Sequence, residues 1–281
     1  MQKIVILGAT GGVVKAIEEI RSTDRSSEII FLAFDGQYPY QRDLFPQFIS
    51  KEATLNQVLC KPKDFYERQK VKVLLDKKIT KINFKKHKIS TEDNEAIEYD
   101  LLLITDPPDY RFPAIKGIQR KGVVGIKKLK DILEIIDLLG LAETIIIESN
   151  QLECLSFVSA LLKRNKEIIV ISTNKDLFSP EEEKFRAQGI EEKNLRFIYD
   201  ATIAEILGET DVKAVRLESG KVMATQLVIF PDAQEDFKLF ADSPLKINKR
   251  IRVNAQFKTN IDNVLASHEA CEFESARETG T

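Results

Sequence analysis

Residues 1–21, MQKIVILGATGGVVKAIEEIR, constrain the chain more than any other stretch. Lys3 to Leu7 is a short, β-branched apolar run, the pattern of a central parallel strand covered on both faces. Gly8-Ala9-Thr10-Gly11-Gly12 follows as a glycine turn, and Val13, Ala16, Ile17 and Ile20 then recur at helical spacing. Strand, glycine turn and helix in that order form the first unit of a dinucleotide-binding fold, in which backbone N–H groups and the helix N-terminus face a pyrophosphate. The usual spacing is GxGxxG. Here the first glycine is Gly8, but Thr10 and Val13 stand at the second and third positions.

At 281 residues the chain has room for one large or two ordinary domains. Hydrophobic residues reach 43%, enough for packed cores. A formal charge of -2, with both signs interspersed, offers no electrostatic footprint for nucleic acid. No apolar run approaches the roughly 20 residues of a membrane helix. The N-terminus enters a strand with no signal segment, which predicts a cytoplasmic protein. Cys60, Cys154 and Cys271 form no CxxC pair and no metal-ligand spacing, so they are expected to pack as small apolar residues, with no metal site.

Glu28 to Phe34 reads as a second buried strand and Pro62 to Arg68 as a short helix. Strands are predicted over Lys70–Leu75 and Lys78–Asn83, a hairpin over Ile89–Tyr99, and a buried strand over Asp100–Thr105, stopped by Asp106-Pro107-Pro108. After a crossing segment from Phe112 to Gly125, a second set begins. It comprises a helix from Lys127, a strand at Glu143–Ile147, a helix from Asn150 to Arg164, a strand at Glu167–Ser172 and a helix over Pro180–Gln188. A meander of four strands is predicted from Leu195 to Ala224, then strands at Gln226–Phe230 and Asn263–Ala266. The tail from Glu272 is polar and expected to fray. The two halves share an order of elements, a weak internal repeat.

This layout, with Pro39-Tyr40-Gln41-Arg42 after the second strand, resembles the FAD-dependent pyridine nucleotide–disulfide oxidoreductase superfamily, in its rubredoxin reductase, nitrite reductase and apoptosis-inducing-factor-like branch. Tyr99-Asp100 before an apolar strand, Phe112-Pro113-Ala114-Ile115-Lys116-Gly117 after it, and Val215 to Lys221 carry the same resemblance. It implies an α/β protein of two Rossmann-like, three-layer domains, the second inserted in the first. Residues 1–112 and 231–281 would form the FAD-binding-like domain and 113–230 the NAD(P)-binding-like domain, with the family's C-terminal dimerisation domain absent. The FAD cleft would be lined by Gly8, Thr10, Gly11, Gly12, Arg42, Ser267 and His268.

Residue by residue, the cofactor contacts implied by the resemblance are eroded. Phe34 takes the place of the ribose-binding acid, with Asp35 next to it. Thr105-Asp106-Pro107 replaces an Ala-Thr-Gly tract and brings negative charge towards the pyrophosphate. Pro46-Gln47 replaces a Ser-Lys pair, and Ser267-His268 replaces a Gly-Asp pair. In the second half, Glu148-Ser149-Asn150-Gln151-Leu152-Glu153 stands where GxGxxG belongs, without one glycine. A carboxylate about 4 Å from a phosphate is worth roughly 4 kcal/mol at an effective dielectric near 20, enough to weaken binding on the order of a thousandfold. Asn150-x-x-Glu153 also resembles a capping box that would satisfy the helix's own N–H groups.

The expectation is therefore a non-catalytic member with degraded FAD and NAD(P)H sites and no catalytic residue. It would hold no cofactor (FAD if any, NAD(P) disfavoured) and would be retained to bind a protein partner or small ligand in a redox-related system. The alternative is an active FAD-dependent NAD(P)H oxidoreductase passing electrons to a small protein or acceptor. A third reading takes Gly8 to Gly12 as the start of an NADP-binding atypical short-chain dehydrogenase, with Tyr66 and Lys70 supplying the letters of its YxxxK pair; the pair comes too early in the chain for that role, and a solvated helix face is the preferred explanation of the letters. His268 is either an acid–base residue or a filler of a vacated flavin site, and His87 a surface residue. Tyr38, Tyr40, Phe45 and Phe48 form either a ligand wall or a hydrophobic plug.

Overall fold

The structure, a computed structural model, describes residues 1–274. The described residues divide into two compact units, one of residues 1–41, 59–110 and 235–274, the other of 42–58 and 111–234. The second unit thus also takes in residues 42–58, for which the sequence predicts no element.

In the first unit five parallel strands run in the order Val264–Ala266, Leu101–Ile104, Lys3–Gly8, Glu28–Ala33 and Val71–Leu74. Alternation along the strand sorts its side chains between two layers. Ile4 and Ile6 face the helix Gly11–Thr23, meeting Val13 and Ile17 together with Phe65 and Tyr66. Val5 and Leu7 face the other way, towards Ile82, Ile89 and Ile97 of a three-stranded antiparallel sheet over Ile79–Asn83, Lys88–Thr91 and Ala96–Glu98. That sandwich buries the first strand on both sides, and Val5, Ile6 and Leu7 are fully enclosed. Each such side chain contributes about 1.5–3 kcal/mol.

The second unit repeats the plan. Its parallel sheet runs Leu195–Tyr199, Glu167–Ser172, Thr144–Glu148, Leu227–Ile229 and Val123–Val124. Leu195–Tyr199, expected in a meander, is instead the parallel edge strand, with Leu195 opposite Ile168 and Phe197 opposite Val170. A helical connection, Lys175–Ala187, makes that pairing possible, since a parallel neighbour needs a crossover. The antiparallel meander is three-stranded: Ile203–Leu207, Ala214–Leu217 and Val222–Ala224. Its Ile206, Val215 and Leu217 pack on Ile146 and Ile169 of the parallel sheet. Phe45–Ile49 is a short helix that packs against the helices Leu129–Leu138 and Cys154–Leu162, and Arg164 donates to the Ile49 carbonyl at 2.6 Å. Two Rossmann-like units, each with helices on one face of a parallel sheet and antiparallel strands on the other, are the expected fold class.

The helix predicted from Pro180 starts earlier, at Lys175, because Asn174 caps it: its side-chain oxygen accepts from the Leu177 N–H at 3.1 Å. Asn174→Ala is expected to destabilise the second unit by about 1 kcal/mol. A thermal melt of the variant beside the parent chain measures this.

Candidate functional site

The turn after the first strand is shaped by what crowds Gly8. A β-carbon there would lie 2.1 Å from Thr105 Oγ1 and 2.6 Å from Asp106 Oδ2, so only glycine admits these two side chains. They follow the neighbouring strand Leu101–Ile104, whose register (Leu7 opposite Ile104) brings its C-terminal end level with the turn. Asp106 is fully buried. Its carboxylate accepts from the Ala9 amide at 3.0 Å, the Thr10 amide at 3.2 Å, the Thr10 hydroxyl at 2.6 Å and the Thr105 hydroxyl at 2.7 Å. The turn thus holds an anion, supplied by the chain itself.

Ser267 and His268 reach the same end of the sheet from the strand Val264–Ala266. The Ser267 amide donates to the Ile104 carbonyl at 2.9 Å. His268 adopts φ 54°, and a β-carbon on Gly12 would touch its ring at 3.0 Å. Ser267 Oγ and His268 Nδ1 are 2.9 Å apart. Gly11 faces Cys60, whose thiol burial and the nearby Asp106 carboxylate push up to about 11. Phe34 packs into the core beside the antiparallel sheet, while Asp35 stays half-buried and accepts from the Tyr40 hydroxyl at 2.6 Å. Gly8, Thr10, Gly11, Gly12, Ser267 and His268 therefore gather at one sheet end. Arg42 lies in the one-turn 3-10 helix Arg42–Leu44, which belongs to the second unit.

The corresponding turn of the second unit follows Thr144–Glu148. Here Asp232, just beyond the strand Leu227–Ile229, accepts from the Ser149 hydroxyl and the Asn150 amide, both at 2.7 Å. Asn150 does not form the expected capping box. Its side-chain oxygen instead accepts from the Ser172 hydroxyl and from the amide and hydroxyl of Thr173, at 2.8–2.9 Å, and the helix begins only at Cys154. Glu148 accepts from the Ile203 amide at 3.1 Å, and burial, with Asp232 and Glu218 adding negative charge, pushes its carboxyl up to about 7. The turn opens on a cleft of about 440 Å3 walled by Phe112, Pro113 and Phe230.

Residues 2–271 match the family model for pyridine nucleotide-disulphide oxidoreductases. The chain belongs to that family. Among its relatives is the assimilatory nitrate reductase electron transfer subunit of Bacillus subtilis (strain 168), 20% identical over 277 residues, which cover 96% of this chain and 36% of that protein. Another is the rubredoxin-NAD(+) reductase of Ectopseudomonas oleovorans, 23% identical over 94% of this chain and 70% of that protein. In three dimensions the chain is similar to the reductase in the covalent putidaredoxin reductase–putidaredoxin complex. The TM-score is 0.84 at 17% identity, covering 98% of this chain and 69% of that one. The chain spans about a third of the first relative and somewhat over two thirds of the second.

At both turns a carboxylate of the chain itself meets backbone amides. A pyrophosphate needs turn amides that are free to donate. The amides of Ala9, Thr10 and Asn150 already donate to Asp106 and Asp232, while those of Gly11 and Gly12, at the start of the first helix, are not engaged by Asp106. The sequence flagged the charge of Asp106 and Glu148 but not the partner role of Asp232. Its position is the available signal: in a parallel sheet, residues just past the C-terminal ends of adjacent strands converge. The short-chain dehydrogenase reading fails on Tyr66. Its ring is 1% exposed in a cluster with Phe31, Tyr38 and Phe65, neither a catalytic phenol nor a solvated face. Of the four candidate wall aromatics, Tyr38 and Tyr40 belong to the first unit and Phe45 and Phe48 to the second. His87 stacks on Tyr99 with ring centroids 5.4 Å apart. Among the described residues no cluster of metal-ligating side chains occurs, and no helix is long and apolar enough to cross a membrane.

Proposed function

We propose that this chain is a non-catalytic member of the pyridine nucleotide-disulphide oxidoreductase family, its nucleotide turns closed by its own carboxylates and its scaffold kept for binding. The observation that carries this is the buried Asp106 carboxylate on the Ala9 and Thr10 amides. An anion held at this turn repels a second one brought up to it by several kcal/mol. The second turn adds Glu148 and Asp232, with no glycine from Glu148 to Glu153. The partner would be a small protein of a redox-related system, as in the putidaredoxin complex of the similar reductase.

The second reading is a working FAD-dependent NAD(P)H oxidoreductase. It rests on the reductases among the relatives, on Gly8, Gly11 and Gly12, and on Asp35, a carboxylate at the end of the second strand. Visible absorbance of the purified chain, before and after incubation with FAD and removal of free flavin, separates the two. No retained flavin and no NADH or NADPH oxidation are expected. A stoichiometric flavin, or turnover of either nicotinamide cofactor, would establish the second reading and sink the first.

A further inference from the structure

The cleft of the second unit has a chemistry of its own once the dinucleotide is set aside. Its floor is Glu148, Ser149 and Asn150 at the end of the strand, and its walls include Phe112 and Phe230, whose ring centroids lie 5.9 Å apart. At about 440 Å3 it suits a small organic molecule. Glu148 is the polar group left over in this cleft. One carboxylate oxygen accepts from the Ile203 amide, and among the described residues no cation pairs with either oxygen. Asp232, by contrast, is taken up by Ser149 and Asn150. The charged groups about Glu148 are Asp232 and Glu218, both acidic, and Arg111, which also lines the cleft and donates to Gln234 Oε1 at 3.1 Å.

We infer that this cleft takes a small organic cation with an apolar body, an amine or guanidinium whose charge meets Glu148 while its hydrocarbon part lies against Phe112, whose ring is in edge contact with Phe230. The inference rests on the proposed loss of the dinucleotide, and it names what replaces it. A half-buried carboxylate without a counter-ion is a costly arrangement in the free chain, and a cationic donor relieves it. An anionic ligand meets two carboxylates on the same floor. Protonation also opposes the cation, because Glu148 is held up near pH 7 in the free chain. Its ionised fraction therefore rises about tenfold between pH 6 and pH 8, and the affinity should rise with it.

The test uses the full chain and three probes: benzylguanidinium, whose charge does not titrate in this range, its neutral isostere benzylurea, and NADH. Isothermal titration gives affinities at pH 6 and pH 8, and backbone amide shifts of Ser149, Asn150 and Ala233 locate the binding. Benzylguanidinium is expected to bind at these amides, roughly tenfold more tightly at pH 8, with that dependence lost in Glu148→Gln. Equal affinity for benzylurea, or a Glu148→Gln chain that keeps the pH dependence, overturns the inference. So does the absence of binding by any probe, which leaves the closed-turn reading standing. NADH shifting the same amides overturns both.

Discussion

Asp106→Ala is expected to lower the unfolding free energy by about 3–5 kcal/mol, the largest effect of any single side chain at the nucleotide turns. The carboxylate is buried and receives the amides of Ala9 and Thr10 and the hydroxyls of Thr10 and Thr105. Hydrogen bonds to a charged acceptor contribute about 1.5–3 kcal/mol each, and removing the acceptor leaves the Ala9 and Thr10 donors buried without it, while the Thr105 hydroxyl keeps the Leu7 carbonyl at 3.2 Å. The contributions do not add fully, since the four donors share one acceptor. Asp106→Asn should fall between, because its amide keeps one accepting oxygen but turns an NH2 towards the remaining donors. Urea unfolding of the three chains measures this. An alanine variant as stable as the parent would mean that the turn does not depend on its internal anion. The same variant should be assayed for FAD retention, since a gain of flavin there would trace the closure directly to this carboxylate.

Glu148→Gln is expected to do the opposite, raising stability at alkaline pH by up to about 3 kcal/mol. The carboxyl titrates near 7 in the folded chain against an ordinary 4.5, because burial disfavours its charged form. Folding therefore favours the protonated acid. Below about pH 4.5 both states are protonated and the parent suffers no penalty. Between 4.5 and 7 the unfolded chain ionises first and the parent loses stability, and above 7 the loss is complete. Glutamine keeps an acceptor for the Ile203 amide and carries no charge. The two chains should thus differ little at pH 5 and most at pH 8, with the crossover region set by Glu148 itself. Denaturant midpoints taken across that range decide it, and a flat difference would refute the assignment of the acid.

The elements that follow local periodicity were legible from residues alone. The first strand and helix are examples, since a β-branched run, a glycine turn and a 3.6-residue stripe need no distant information. What escaped was set by partners far along the chain. The short helix Phe45–Ile49 packs on helices more than eighty residues later, and its five residues carry too little pattern of their own. Leu195–Tyr199 alternates as an antiparallel strand would, and only the crossover helix before it dictates a parallel neighbour. The site behaves likewise. Asp106 follows the strand beside the first turn, so its charge could be anticipated there. Asp232 meets Ser149 and Asn150 across separations of 83 and 82 residues that no local motif records. Asn150-x-x-Glu153 has the letters of a capping box, yet Ser172 and Thr173 recruit the asparagine across the strand ends and the helix starts elsewhere.

The first unit's sheet is completed by Val264–Ala266, which pairs with Leu101–Ile104 from the far end of the sequence. During synthesis Leu101–Ile104 emerges long before that partner exists, leaving a wholly apolar strand as a temporary border for on the order of ten seconds at ribosomal rates. Such a border invites pairing with other nascent chains. The intervening unit, residues 111–234, contains its own parallel sheet and can form meanwhile. Yield in a cell should therefore depend on chaperones and on translation speed more than the finished molecule's stability would suggest.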